Sequence, residues 1–368
     1  MLYFLLLLLI AFAFLLMHIL VKRYGFDRVE YSLRFSENEV TEGDTVTLIE
    51  TVCSRKALPL PWLKVEMTTD AALEFAQMQS AVSGSARFIS SFFSLRPYHR
   101  IQRHWQVRCT KRGVFAVSHV ILVISDLFGT IEQSMALPDV SATLTVLPKA
   151  VDFSFTAGDP RSLIGDTQLR RSLMPDRMAM GGLRPYADGD PVRDICYSAS
   201  ARSIEPMVYR FCDTTQPTVT ILLNMATKEY DRDHVTDAAA LEKEIKLCAA
   251  LLLQLRDLRI PVRLCANTRM DGQLLDTPAA SGDAHIHHLL QLLAAVPDTI
   301  DERFINLVSR VCHRDPTALL WAVTAHIDDA LLRLADDEPR LQMITVRHLH
   351  YTACRANLHS AADVFSTE

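Results

Sequence analysis

TVTILLN, at positions 218–224, is a short apolar run that is followed by a polar loop and then by a helical pattern. Three similar runs follow, IPVRLCAN (260–267), ALLWAVTA (318–325) and LQMITVR (341–347), and helical segments separate them. Strands that read as continuous apolar runs are buried on both faces, and helices between them form the crossovers of a parallel sheet. The sequence therefore predicts an α/β, doubly wound domain over residues 181–350.

Residues 29–150 have a different pattern, in which short β-rich runs alternate with turn formers. The runs are YSLRF (31–35), TVTLIETV (45–52), WLKVEM (62–67), ARFISSFF (86–93), RHWQVRC (103–109), VFAVSHVILVI (114–124) and ATLTVL (142–147). Seven or so strands without a convincing helix predict an all-β, antiparallel sandwich. Residues 151–180 lack sustained periodicity and are interpreted as a linker or long loop, and residues 351–368 as a polar tail.

The first 21 residues contain no charged side chain. At ~1.5 Å per residue they form a helix of roughly 31 Å, which is enough to cross the core of a bilayer. Neither a basic start nor a small-residue cleavage site indicates a signal peptide, so residues 1–23 are predicted to be a single transmembrane anchor. Because Lys22, Arg23 and Arg28 follow the apolar run and no charge precedes it, the soluble domains are expected to face the cytoplasm at the inner membrane.

Charge and motif content argue against several classes of function. The formal net charge of −5 is spread along the 368 residues, which argues against nucleic acid as a partner. The eight cysteines are scattered, without a CxxC pair or zinc-finger spacing, as in a reduced cytoplasmic protein. Neither GxGxxG nor a P-loop motif follows the run at 218–224, which disfavours a nucleotide-binding enzyme.

The residues after 218–224 resemble a degenerate metal site. The order of strands and helices resembles that of a von Willebrand factor A domain, in which Asp-x-Ser-x-Ser at this point holds Mg²⁺. Asn224, Ala226 and Lys228 stand at those positions, so an amide, a methyl group and an ammonium replace oxygen ligands that a hard cation prefers. We therefore expect no metal and no cofactor. The oxygen-bearing side chains that remain nearby are Thr227, Asp231, Asp233 and Thr268.

GGLRPYADGDPVRDICYSASARSIEPMVYRF, at positions 181–211, concentrates arginine, aspartate and glycine. This signature segment resembles the bacterial DUF58 family, whose pattern runs approximately L-R-x-Y-x-x-G-D-x-x-R-x-I-D-W-x-x-S-A-R-x-x-x-L-x-V-R-x-F. The matched residues taken as signature or partner-loop candidates are Arg184, Tyr186, Gly189, Asp190, Arg193, Ser200, Arg202 and Arg210. Cys196 and Tyr197 depart from the pattern, because they replace its acidic residue and its Trp.

A second, weaker similarity to the same family lies in TKRGVFAVSHVILVISDLFGT, at positions 110–130. Its matched residues are Arg112, Gly113, Asp126, Phe128 and Gly129. The resemblance implies a membrane-attached protein with a von Willebrand-like domain, often encoded beside a MoxR-type AAA+ ATPase and involved in maturing or assembling other proteins. Members typically begin with two membrane helices, whereas this chain shows one apolar run, and the resemblance implies no catalytic residues.

The arginines of the signature segment allow two interpretations. Planar guanidinium groups suit bidentate contacts with carboxylates, so Arg184, Arg202 and Arg210 fit an internal ion-pair network that holds the segment on the sheet. The same groups, facing outward, fit a docking surface for a partner's acidic residues. The two interpretations are compatible, and the sequence does not divide the residues between them.

Other reactive side chains are interpreted as structural. Cys196 has no neighbour in sequence that would predictably lower its pKa, and no GxSxG motif is present. His285 and His288 share a helical face and form a possible metal clip, but a solvated face is the commoner case. His348, His350 and Cys354 are discounted in the same way. The arginines and aromatic residues at 96–108 are read as a solvated strand instead of a nucleic-acid surface.

The leading hypothesis is a non-enzymatic, membrane-anchored scaffold or adaptor that works with a MoxR-type AAA+ ATPase. One alternative is a binding module that keeps a divalent ion near Asn224, Thr227 and Thr268. Another is a cell-envelope hydrolase that uses a thiol or a histidine. The oligomeric state and the client protein stay open.

Overall fold

The computed structural model describes residues 3–4, 8–9, 19, 22–76, 79–125, 132–151, 176–187, 190–212 and 218–344 of the chain. For residues 79, 176–181 and 210–212 it describes the backbone alone. The chain divides into two units. The first combines Met1–Lys149 with Leu290–Val296, and the second combines Ala150–Leu289 with Pro297–Glu368. Each unit contains its own cluster of buried apolar side chains.

The first unit is built from strands. They are β1 (Val29–Phe35), β2 (Glu39–Thr41), β3 (Thr45–Ser54), β4 (Leu60–Asp70), β5 (Leu73–Phe75), β6 (Gln79–Ser83), β7 (Ala86–Leu95), β8 (Arg100–Cys109), β9 (Gly113–Ser125), β10 (Glu132–Leu137) and β11 (Ala142–Leu147). One sheet has the order β1-β3-β8-β5. The other has the order β2-β11-β9-β4-β7-β6, with β10 paired to β9. All pairings are antiparallel except that of β2 with β11, which is parallel.

Side-chain alternation explains how these strands enclose a core. Along β3, every second residue from Val46 to Ser54 is buried, because successive side chains point to opposite faces of a sheet. Leu48 of β3, Val65 of β4 and Leu122 of β9 are fully buried in one apolar cluster. Each such side chain contributes about 1.5–3 kcal/mol by leaving water. The prediction of a sheet-rich, sandwich-like fold is confirmed.

The predicted transmembrane anchor, residues 1–23, lies mostly outside the described residues. In the part of the chain that the structure describes, no helix has both the length and the apolar character to cross a membrane. Residues 22–24 are helical. At the end of this helical stretch, the buried ammonium of Lys56 donates hydrogen bonds to the carbonyl oxygens of Tyr24, at 2.7 Å, and Gly25.

The described residues from 176 onward contain seven more strands and five helices. The strands are β12 (Asp176–Pro185), β13 (Met207–Cys212), β14 (Val219–Leu223), β15 (Val262–Met270), β16 (Gln273–Asp276), β17 (Leu319–Val323) and β18 (Leu341–Ile344). The helices are α1 (Tyr197–Ser200), α2 (Ala238–Asp257), α3 (Asp283–Ala295), α4 (Phe304–Arg314) and α5 (Asp329–Asp337). Strand β12 begins inside the segment 151–180 that the sequence analysis interprets as a linker.

A five-stranded sheet with the order β16-β15-β14-β17-β18 organises the second unit. Its strands β15, β14, β17 and β18 are parallel, and the edge strand β16 is antiparallel to β15. Every residue of β14 and β17 is buried, as expected for strands that are covered on both faces. The carboxyl ends of β14, β15 and β17 meet at one edge of this sheet, where ligands bind in open α/β sheets.

Strands β12 and β13 form a separate antiparallel ribbon. The signature segment contains the end of β12, helix α1 and most of β13. The connection between the two strands also includes a single 3-10 turn, Val192–Asp194. The signature segment is therefore a ribbon with a folded connection.

Candidate functional site

A tight turn closes the start of the signature segment. The guanidinium of Arg184 donates to both carboxylate oxygens of Asp190, at 2.6 Å each, and the backbone N–H of Ala187 donates to the same carboxylate at 2.9 Å. The bond from Arg184, followed by that from Ala187, holds the pKa of Asp190 below its usual range. The hydroxyl of Tyr186 donates to the Asp190 carbonyl at 3.4 Å. These three signature residues are brought together, whereas Gly189 lies outside the described residues.

Ser200 connects helix α1 to strand β13. Its hydroxyl donates to the carbonyl oxygen of Cys196 at 2.8 Å and accepts from the backbone N–H of Met207 at 2.8 Å. The N–H of Cys196 donates to the Met207 carbonyl, also at 2.8 Å. Ser200 therefore belongs to the internal network, because its hydroxyl bonds the backbone both at the start of helix α1 and at the start of strand β13.

Two other signature arginines face solvent. Arg193 has 69% of its side chain exposed and lies 4.0 Å from the carboxylate of Asp194, too far for a hydrogen bond. Arg202 is exposed, and its side chain makes no hydrogen bond or ion pair within the described ranges. Tyr197 is 72% exposed and Ile204 is fully exposed. All four side chains belong to the connection between β12 and β13.

Arg210 lies in β13, where its backbone pairs with Gly182 of β12. Its side chain is outside the description. Of the eight signature candidates, the structure thus brings Arg184, Tyr186, Asp190 and Ser200 into contacts within the segment, although the Arg184 side chain stays 43% exposed. Arg193 and Arg202 lie at the surface, where their side chains make no hydrogen bond in the described ranges.

Cys196 has a lowered pKa, which the sequence did not indicate. Its sulfur lies 3.3 Å from the hydroxyl of Ser198. This hydrogen bond, followed by those from the Tyr209 hydroxyl and the backbone N–H of Ala199, lowers the pKa of the thiol. Tyr209 lies on the next strand, so no local pattern could reveal it. Cys196 is only 5% exposed, which restricts attack on a substrate.

Amides and a hydroxyl fill the carboxyl edge of the parallel sheet. The Asn224 side chain donates to Thr324 Oγ1 at 2.9 Å, and its oxygen accepts from the backbone N–H of Ala226 at 3.0 Å and from Asn267 Nδ2 at 3.3 Å. The oxygen of Asn267 accepts from the N–H of Met225 at 2.8 Å, and Thr324 donates to the His326 carbonyl at 2.6 Å. The polar atoms at the end of β14 thus satisfy one another.

Asp231 bends back toward β14, as the sequence allowed, but it binds protein groups. Its carboxylate accepts from the N–H and hydroxyl of Thr227 at 2.9 and 2.7 Å, from the N–H of Lys228 at 3.1 Å and from the Thr236 hydroxyl at 2.7 Å. Partial burial raises the pKa of Asp231, but the hydrogen bonds, first that from Thr236 and then those from Thr227, outweigh it and lower the pKa to about 2. The carboxylate organises the loop before helix α2.

The other degenerate metal positions make no ligand set either. Lys228 is exposed, and Asp233 contributes its backbone carbonyl to the N–H of Ile300 at 3.1 Å. The hydroxyl of Thr268 lies 3.2 Å from that of Thr299. In the described ranges, no three His, Cys, Asp or Glu side chains gather in a way that could hold a metal. The donor chemistry at this edge therefore does not fit the Mg²⁺ that a von Willebrand-like domain would carry.

The suspected histidine clip has a structural explanation. A ring nitrogen of His285 lies 3.0 Å from the carbonyl oxygen of Val262, so this side chain connects helix α3 to strand β15. His288 is exposed on the same helix. His348, His350 and Cys354 lie outside the described residues.

The basic, aromatic stretch at 96–108 includes a side chain turned toward a buried carboxylate. Trp105 Nε1 donates to Glu50 at 2.9 Å, and Arg103 lies 4.1 Å from the ring centroid of Phe93. Glu50 is fully buried and also accepts from the hydroxyls of Tyr31 at 3.0 Å and Ser91 at 2.7 Å. Burial raises the pKa of Glu50 although these bonds oppose it. The Trp105 side chain is thus held against the sandwich by its bond to Glu50, which does not suit stacking on nucleic-acid bases.

Glu244 of helix α2 is a second buried carboxyl group that the sequence analysis missed. It is fully buried, and among the residues that the structure describes neither side-chain oxygen has a hydrogen-bond partner. Burial raises its pKa to about 9, so the group is neutral at pH 7. The sequence feature that could have revealed this buried group is a glutamate at an apolar position of an amphipathic helix.

Arg112 and Gly113, from the second family similarity, have clear structural roles in the first unit. Arg112 is buried and donates to the carbonyl oxygens of Leu293, Ala294 and Val296 at 2.9, 3.2 and 3.3 Å, which caps the end of helix α3. Gly113 has φ +152°, and a Cβ there would lie 2.8 Å from the Phe115 ring. Only glycine fits this position. Asp126, Phe128 and Gly129 are not described.

Comparison with known families agrees with the signature. Residues 182–346 match the family model described as "Protein of unknown function DUF58". This match supports the DUF58 family for a region that contains the carboxyl edge of the sheet and most of the signature segment. No curated protein matched the sequence.

Several solved structures resemble a third of the chain. A non-cellulosomal cohesin from the archaeon Archaeoglobus fulgidus has 12% identity and a TM-score of 0.23, covering 32% of this chain and 91% of its own. The CARDB domain of a Pyrococcus furiosus protein, in complex with di-metal ions, has 13% identity and a TM-score of 0.22, covering 33% and 94%. Salmonella alpha-2-macroglobulin has 18% identity and a TM-score of 0.23, covering 32% and 7%. No function follows from these likenesses.

Proposed function

We propose that this chain is a membrane-anchored, non-enzymatic scaffold whose signature segment docks a partner protein. The observation that supports this most is the division of that segment into two parts. In one part, Arg184 is paired with Asp190, and the Ser200 hydroxyl bonds the backbone. In the other part, Arg193 and Arg202 face solvent. A rigid segment that presents exposed arginines loses little conformational freedom on binding, which favours recognition.

The proposed partner is a MoxR-type AAA+ ATPase, which the similarity to DUF58 proteins suggests. Guanidinium groups bind carboxylates through two parallel hydrogen bonds, so the complementary surface on the ATPase is expected to be acidic. Tyr197 and Ile204 would supply apolar contact area beside the arginines.

In this proposal the second unit is a von Willebrand-like domain that works without a metal. The closed set of hydrogen bonds around Asn224, Asn267 and Thr324 supports it, because these side chains stabilise the sheet edge without a cation. Residues 1–23 would span the inner membrane once, with both units in the cytoplasm, as the uncharged run and the cations after it suggest.

Co-purification from detergent-solubilised native membranes tests the docking proposal. We expect recovery of an AAA+ ATPase with the wild-type protein in the presence of a non-hydrolysable ATP analogue. Recovery should fall at least tenfold with the double variant Arg193→Glu and Arg202→Glu, because reversed charges repel an acidic surface. Arg333→Glu, at an exposed arginine of helix α5, is the matched control and should leave recovery unchanged.

Equal recovery with the double variant would contradict docking through these arginines. Recovery of no ATPase with any of the proteins would contradict the proposed partner itself. Circular dichroism of each variant shows whether folding is retained.

The two alternative functions have separate tests. A divalent ion held near Asn224, Thr227 and Thr268 would raise the melting temperature in Mg²⁺ by mass action. A thiol hydrolase would lose its activity with Cys196→Ala, since the lowered pKa makes Cys196 the most reactive candidate nucleophile in that proposal.

A further inference from the structure

One end of the first unit combines exposed aromatic rings with cations. At this end the strand pairings bring Trp62 of β4 opposite Ser125 of β9, and Leu60 of β4 opposite Leu95 of β7. The chain segments 22–28, 55–59 and 96–99 lie at the same end, because β1 starts, β3 ends and β8 starts there. We call this the basic end of the first unit.

The aromatic rings at the basic end point to solvent. Trp62 is 53% exposed and Phe92 is 37% exposed, and their ring centroids lie 5.5 Å apart. Tyr98, in the β7–β8 connection, is 70% exposed and has the left-handed φ of +56°. A bulky residue in that conformation is strained. Tyr24, three residues after the end of the apolar N-terminal run, is also exposed.

Cations share this end of the unit with the rings. Those in or beside the three segments are Lys22, Arg23, Arg28, Arg55, Lys56, Arg96 and Arg100, and the carboxylates of the described part of this end are Asp27, Glu30 and Glu132. Glu30 is paired with Arg55 at 2.9 Å. The opposite end is mixed in charge, because Arg108 and Lys111 lie there together with Glu37, Glu39, Glu42 and Asp44 of the connection between β1 and β3. The positive charge is therefore concentrated where the apolar run enters the unit.

Hydrogen bonds fix the place where the chain enters this end. Lys56 donates to the carbonyl oxygens of Tyr24 and Gly25, and Gln133 Nε2 donates to that of Lys22 at 3.1 Å. Burial lowers the pKa of Lys56 to about 8, and the charge of Asp27 opposes that shift. Residues 22–25 are thus held against the unit, and a bilayer crossed by residues 1–21 would lie next to Trp62, Phe92 and Tyr98.

We propose that the basic end of the first unit is a lipid-binding surface, in which Trp62, Phe92 and Tyr98 enter the headgroup region of an anionic membrane. The inference rests on the proposed membrane anchor and adds the face that meets the bilayer. Tryptophan and tyrosine rings favour the membrane interface, and basic side chains there are attracted to anionic lipids. The match between a positive, aromatic surface and a negatively charged headgroup layer favours lipid over a second copy of this chain.

Tryptophan quenching by brominated lipid tests this proposal on the full chain. The protein is reconstituted into vesicles of phosphatidylglycerol and phosphatidylcholine, with bromine on the acyl chains of the phosphatidylcholine. We expect quenching in the wild type and its loss in Trp62→Phe, because Trp105 and Trp321 are turned into the two cores. Omitting phosphatidylglycerol, or combining Arg96→Glu with Arg100→Glu, should reduce the quenching.

Val114→Trp in the Trp62→Phe background is the matched control. Val114 is 57% exposed at the other end of β9, roughly 36 Å from Ser125 at ~3.3 Å per residue. The new ring should stay unquenched.

Equal quenching of the wild type and Trp62→Phe would overturn the proposal. So would protection of Trp62 from aqueous iodide without quenching by bromine, which would indicate a protein partner on this face. Failure of the protein to float with the vesicles would instead contradict the membrane anchor on which the inference rests.

Discussion

The guanidinium of Arg184 and the carboxylate of Asp190 meet through two hydrogen bonds of 2.6 Å and close the turn at the start of the signature segment. Both residues belong to the family signature, and their contact leaves neither group available as a free charge for a partner. The turn also holds the N–H of Ala187, which donates to Asp190. Removing either charged side chain should loosen the turn without affecting the core.

Asp190→Ala is expected to speed amide hydrogen exchange at Ala187 at least tenfold. The N–H of Ala187 loses its acceptor, and the Arg184 guanidinium loses the carboxylate that it binds. Exchange measured by mass spectrometry on the peptide 184–190 reports this. Glu205→Ala, an exposed carboxylate in the same segment, serves as the control and should leave that peptide unchanged. Unchanged exchange protection of this peptide in Asp190→Ala would contradict the role assigned to the contact between Arg184 and Asp190.

Asn224→Asp should destabilise the second unit by about 2–4 kcal/mol, because a buried carboxylate cannot donate to Thr324 and has no cationic partner. The measurement is urea unfolding with and without Mg²⁺. We expect the same loss in both conditions, and Lys228→Ser at an exposed position should have little effect. Recovery of the variant by Mg²⁺ would show that the edge still accepts a cation.

Asp231 should make stability depend on acid. Its folded-state pKa is about 2 and its ordinary value is 3.8, so its contribution is present above pH ~4 and is lost as the pH falls toward ~2. Because the carboxylate is partly solvated, we expect no more than about 1 kcal/mol. The difference in unfolding free energy between the wild type and Asp231→Asn should shrink from pH 6 to pH 2.5. Asp233→Asn is the control, and a constant difference for Asp231→Asn would contradict the assignment.

Glu244 should produce the opposite pH dependence. Its folded-state pKa is about 9 and its ordinary value is 4.5, so the contribution of Glu244 to stability is fully present below pH ~4.5 and is lost as the pH rises toward ~9. Glu244→Gln removes this proton linkage. We expect the variant to gain about 2–3 kcal/mol over the wild type between pH 4 and pH 7. Chemical unfolding at both pH values measures the gain, and exposed Glu229→Gln should show none.

The sandwich could be predicted because its signal is local. Alternation within 45–52 already indicates which face of β3 is buried. The same alternation places Glu50 on the buried face, yet only the folded unit shows that Tyr31, Ser91 and Trp105 satisfy it. Such contacts join distant parts of the chain, and no period in the sequence reports them.

The carboxyl edge of the parallel sheet was predictable in part. The replacement of metal ligands at Asn224, Ala226 and Lys228 is visible in the sequence, because those positions follow a buried strand. The partners Asn267 and Thr324 also stand at strand ends, but their pairing with Asn224 depends on the order of strands in the sheet. Which signature arginines are paired and which are not depends on the β12–β13 ribbon and its connection, which the sequence reading did not include.

The Lys56 ammonium joins the carbonyl oxygens of Tyr24 and Gly25 to the connection between β3 and β4. Residues 24 and 25 are therefore tied to the first unit by side-chain contacts as well as by the chain itself. Between the apolar run and β1 the chain is tethered to the sandwich and is not a free linker.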